Sequence, residues 1–132
     1  MNSNQSLALL VGRVLMGLLF LVAGIRKAMA IAGTAGYMAK FGVPMAEVLV
    51  YATIALEILG GLALIIGWKT KPVAWVLALF IVVITPIFHG FWSYPPEQYV
   101  GQLNNFLKNL AIIGGLVYAA VFGAGSMSAD KA

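Results

Sequence analysis

The sequence predicts an all-α membrane protein: an up-down-up-down bundle of four transmembrane helices, with a short interfacial helix between the first two. Three observations carry this expectation. The 132 residues are 62% hydrophobic and only 9% charged, whereas a soluble domain is about 45–50% apolar and about 25% charged. The apolar residues gather in four runs, each long enough for the ~20 residues that cross a bilayer core. The connections between runs are short, about 15, 3 and 9 residues, so sequence neighbours run antiparallel. Residues 1–132 read as a single domain.

The first span is expected at about residues 7–30, after a polar start (MNSNQS) in which Asn4 or Ser6 is a suitable helix cap. Arg13, Gly17, Phe20, Gly24 and Lys27 fall on one helical face. The two glycines allow another helix to approach closely there. Arg13 reads as an interfacial anchor and Arg26 as a headgroup contact. Ala28-Met29-Ala30 has the form of a signal-cleavage site, but no basic cluster precedes the apolar run, so the segment is read as a retained span.

Residues 31–45 are too short and too broken to span. Thr34 is placed to cap a short helix ending near Lys40 or Phe41, with Gly42 after its last turn and Pro44 as its stop. Tyr37, Met38 and Phe41 make its apolar side. The second span follows at about 46–68, the turn Lys69-Thr70-Lys71 leads into the third at about 72–92, and Pro86 removes a backbone donor near its end. The fourth span is expected at about 102–122. Its first turns carry Asn104, Asn105, Lys108 and Asn109, and a ladder of Ala111, Gly115, Ala119 and Gly123 marks a close helix seam. The last residues, GAGSMSADKA, read as a mobile tail.

Several function classes are excluded. The chain has no cysteine, which removes disulfides and thiolate metal sites. One histidine and one mid-span carboxylate fall short of a metal-ligand set. The net charge of +4 includes no basic run longer than two residues, so it points to lipid headgroups and topology, not to nucleic acid. No nucleophile–base pair or phosphate loop is present, and catalytic residues are unassigned.

What remains is a set of ionisable groups, one per span, at the membrane face away from the termini: Lys27, Glu57, His89 and Lys108. Glu57 is the most informative, because a carboxylate deep in a span costs roughly 2.5–3.5 kcal/mol on insertion scales. It lies ~16 Å into the second span at 1.5 Å per residue. Lys108 is the expected partner by reach, with Lys27 as the other candidate. Asn104, Asn109 and Trp92 complete the candidate ligand-binding set. The bland readings are that Lys27 snorkels, His89 sits at the interface and Glu57 makes a purely structural salt bridge.

The order of pieces also resembles a known family. Gly24 followed by Lys27, Gly33-Thr34, Gly42-Val43-Pro44, Glu57 with Gly60-Gly61, Phe88-His89 and Phe106-Leu107-Lys108-Asn109 are similar to the DoxX family of small four-helix membrane proteins. The resemblance covers about residues 7–125. It implies a bacterial inner-membrane, multi-pass protein, and some relatives are subunits or partners in redox complexes, including a thiosulfate:quinone oxidoreductase. The leading expectation is therefore a redox-associated membrane subunit with a quinone in its polar pocket, a soluble or membrane redox partner, and a homo-oligomer as a further assembly. The alternatives are a carrier for a small anion or weak acid, and a non-catalytic scaffold. Counting basic residues at the two faces, with Lys27 set aside as inward-facing, places both termini in the cytoplasm.

Overall fold

A computed structural model describes residues 1–131. Among the described residues there are five α-helices, α1 (Ser3–Ala28), α2 (Ile31–Lys40), α3 (Ala46–Ile66), α4 (Thr70–His89) and α5 (Pro96–Phe122), with a 3-10 turn at Phe91–Ser93. Four of them, all but α2, are long and apolar enough to cross a membrane. α1 packs most extensively on α3 and α4 on α5; contacts between α3 and α4 and between α1 and α5 close the ring. The expected four-span bundle is what the chain forms.

Glycine sets the tightest crossing. A Cβ on Gly17 would fall 2.6 Å from the Gly61 carbonyl oxygen, and one on Gly61 would fall 2.7 Å from that of Gly17. Only two hydrogens at this crossing let the backbones of α1 and α3 meet. Below it, Phe20, Leu64, Leu77, Ala78, Ile81 and Leu116 form the buried core shared by all four spans.

α2 is present where expected, but Thr34 lies within it and Ala30 precedes it without a side-chain cap. Its C-terminus closes as anticipated. Gly42 takes φ 83°, and Gly42 N–H and Val43 N–H donate to the carbonyls of Ala39 and Met38, the pattern of a Schellman motif. Met38 is buried against Ala46 and Val50 of α3, so α2 lies along the first half of α3.

Three local expectations are corrected. The cap of α1 is Asn2, whose side chain accepts from Gln5 N–H while Gln5 returns a bond to Asn2 N–H, a capping box in place of Asn4 or Ser6. The tail after Phe122 is bound, not mobile: Ala129 and Asp130 N–H donate to the carbonyls of Ile66 and Gly67. Asp130 then accepts from the N–H groups of Lys69 and Thr70 at 2.8 and 2.9 Å, capping α4 from the far end of the chain. Lastly, Arg13 is no interfacial anchor. It is 3% exposed and donates four bonds to carbonyls: Leu64 and Ile65 at the end of α3, Ala124 just after α5, and Met127 in the tail. Those carbonyls lie at two helix ends and a turn, where acceptors lack helical partners, although Leu64 also accepts from Gly67 N–H, and a guanidinium has the donors to serve them together.

Candidate functional site

The polar residues of the far half resolve into two groups, one between α1 and α3 and the other between α4 and α5. The first joins α1 to α3. Gly24 lets α3 approach so closely that a Cβ there would sit 3.0 Å from Glu57 Cβ, and three residues on, Lys27 Nζ donates to Glu57 Oε1 at 2.7 Å. The Glu57 side chain is 5% exposed and that of Lys27 33%. Glu57 is therefore enclosed while Lys27 keeps one side open. Among the described residues this is the only salt bridge. The expected partner, Lys108, is not the one that meets Glu57.

The second group joins α4 to α5. His89 Nδ1 lies 2.7 Å from Gln102 Oε1. One layer deeper, Asn109 Nδ2 donates to Thr85 Oγ1 at 3.1 Å, and Thr85 Oγ1 donates to the Ile81 carbonyl, four residues back in α4. Asn109 is buried, so its amide needs such a partner. Gln102 was absent from the expected site, because a lone glutamine near a helix start carries no signal until its neighbour is known.

Beside this group stands a shell of rings. Phe106, one turn after Gln102, packs edge-on against Phe91 at 5.4 Å and Trp92 at 5.9 Å, and Phe91 also meets Tyr99. Trp92 is 61% exposed. A second set, Tyr37, Phe41, Phe88 and Tyr94, links α2 to the end of α4, and Tyr94 Oη donates to the Phe88 carbonyl at 2.6 Å.

Lys108 and Asn104 belong to neither group. Both are exposed, and Lys108 points about 120° around α5 from Gln102 at 100° per residue. Their face is that of Gly115, against which Met16 of α1 packs. The face of Lys108, Asn104 and Ala111, expected to turn inward, is thus the open side of the α1–α5 seam, and the small-residue ladder meets α1 only from Gly115 downward. No group of three or more metal-ligating side chains exists among the described residues.

A four-span bundle with a charge pair between α1 and α3 and a histidine–glutamine contact between α4 and α5 defines the class: a small multi-pass membrane protein. The chain belongs to the DoxX family, whose model matches residues 8–90. It is 36% identical to the inner membrane protein YqjF of Escherichia coli over 99% of this chain and 95% of that protein. It is 28% identical to the E. coli inner membrane protein YphA over 98% and 93%. A partial likeness, 29% identity over 62% of this chain and 60% of the relative, links it to the putative oxidoreductase CatD of Bacillus subtilis. No solved structure matches the chain significantly.

Proposed function

We propose that the protein is an inner-membrane redox subunit that takes a quinol headgroup beside His89. The observation that carries this reading is the His89–Gln102 contact. In the tautomer that carries its proton on Nδ1, His89 donates to Gln102 Oε1, which can only accept. In the neutral ring Nε2 is then the free acceptor. That arrangement suits a hydroxyl donor, so the reduced form fits better than the oxidised quinone. Phe91, Trp92 and Phe106 supply apolar ring faces next to it.

A bound quinol would supply two electrons and two protons. The chain's own part is narrower. Gln102 holds the tautomer, Nε2 accepts one hydroxyl proton, the second leaves to water at the open membrane face, and the rings cover the flanks of the headgroup. Electrons pass to a soluble or membrane partner. Support from relatives is limited to the printed name of CatD and the inner-membrane location named for YqjF and YphA. With the termini in the cytoplasm, His89 lies toward the periplasmic face.

Binding of a short-chain quinol to the purified protein tests the reading. His89→Ala and Gln102→Leu should each weaken it about tenfold or more, the worth of one good hydrogen bond to a charged or polarised group. Equal affinity in wild type and both variants would sink it. A scaffold role is the second reading, favoured by one observation: Lys27 already neutralises Glu57 within the fold. In that case Glu57→Gln lowers folded yield and no quinol raises thermal stability.

A further inference from the structure

At the face opposite His89, α3 and α4 part to leave a cavity of about 340 Å³ that opens sideways between them. Gly60 and Ala63 line its α3 side and Leu59 and Val76 its walls, and Trp68 and Lys69 stand at one end. Lys69 Nζ sits 5.3 Å over the Trp68 ring, and Lys71 is exposed two residues on. Among the described residues neither lysine has a carboxylate within ion-pair distance. Asp130, the nearby acid, spends both oxygens on backbone N–H groups.

We propose that this cavity is a site for an anionic phospholipid. An apolar trough that opens from the side of a transmembrane bundle faces acyl chains, and here the exposed Ala55, Leu59 and Val76 form its outer walls while the buried Gly60 and Ala63 lie at its floor, Gly60 closed off by Leu77 of α4. Trp68 marks the level of the membrane–water boundary, where indole rings settle. Beside it stands the Lys69 ammonium, and Lys71, exposed two residues on, adds a second positive charge to the same turn, at the level of the lipid phosphates. Basic residues at the mouth of a cleft between spans select anionic headgroups in this way. A zwitterionic lipid satisfies the trough equally well but leaves the excess positive charge unmatched.

The site is separate from the quinol reading and stands or falls independently of it. Native mass spectrometry of the full chain, titrated with phosphatidylglycerol or phosphatidylcholine, reads it directly. Phosphatidylglycerol should bind at least tenfold more tightly. The double variant Lys69→Asn/Lys71→Gln should weaken that binding roughly thirtyfold, two headgroup contacts of the usual size, and leave phosphatidylcholine unchanged. Asparagine is chosen at 69 because that residue has φ 48°, which asparagine tolerates. Ala55→Phe, at the exposed edge of the trough, should weaken both lipids. Glycerol phosphate without acyl chains should not compete. Equal affinity for the two lipids, or an unaffected double variant, overturns the proposal. So does disulfide crosslinking between copies through Ala55→Cys in a chain without native cysteine, which would assign the trough to a second copy.

Discussion

Lys27 and Glu57, thirty residues apart in sequence, meet at 2.7 Å between α1 and α3, with the acid enclosed and the amine one-third open. The two halves of the pair are therefore unequal. Lys27→Met strands a carboxylate inside the bundle, and breaking a buried pair in this way costs about 3–5 kcal/mol. Glu57→Gln leaves an amine that can turn toward water along its stem, so its cost should be clearly smaller. Joint replacement, Lys27→Met with Glu57→Leu, should recover much of the loss. Thermal unfolding of the purified protein in detergent checks the order; equal losses from the two single variants would show that the pair is not enclosed as described.

Gly17 and Gly61 make a sharper test of the α1–α3 crossing. Either residue changed to Ala drives a methyl into the other's backbone, and overpacking of this kind costs about 1–3 kcal/mol. Gly12 is the control. A Cβ there meets nothing within 4 Å, so Gly12→Ala should stabilise α1 by about 0.5–1 kcal/mol. Thermal unfolding of the three variants in one detergent separates them.

The first two predictions also show how far the sequence could be read. The four spans, their order, the short helix and the enclosure of Glu57 were all legible, because hydropathy and the cost of a charge in lipid act locally. The partner of Glu57 was not. Lys27 and Gly24 were seen on one face with Gly17, but the depth at which that face meets α3 depends on the glycine crossing. Lys108 was favoured by counting from an assumed helix start at Gln102, whereas α5 begins at Pro96. Lys108 also stands about 120° around α5 from Gln102, the residue that meets His89. Arg13 was misread for a related reason: carbonyls from residues 64, 65, 124 and 127 converge on it, and no local pattern announces that.

Asp130 makes the tail sensitive to acid. The N–H groups of Thr70 and Lys69 and the charge of Arg13 hold its carboxyl below the usual value of 3.8, against a smaller opposing effect of burial. A depressed folded pKa contributes stability above the unfolded value and loses it as pH falls through the folded one. The tail should therefore stay bound from neutral pH to about 4 and loosen below that. A fluorophore on Ser126→Cys reports the release, and Asp130→Asn should remove the acid-dependent step.

Arg13 should tolerate no substitute. Arg13→Lys replaces a five-donor fork by a single ammonium and abandons at least one of the four carbonyls. Each charged hydrogen bond lost is worth about 1.5–3 kcal/mol, so folded yield should fall several-fold. Limited proteolysis should then cut the tail of Arg13→Lys faster than that of wild type, while Arg26→Lys, at an exposed position, changes neither reading.

The bonds of Arg13 also set an order of events during synthesis. Its α1 enters the bilayer first, yet Ala124 and Met127, two of its acceptors, follow 111 and 114 residues later. At ~5–20 residues per second, the guanidinium waits for several seconds or more with only part of its acceptor set, the carbonyls of Leu64 and Ile65, in place. Closure of that end is thus the last step of assembly, and a ribosome stalled within α5 holds a bundle whose earliest helix is still unlatched.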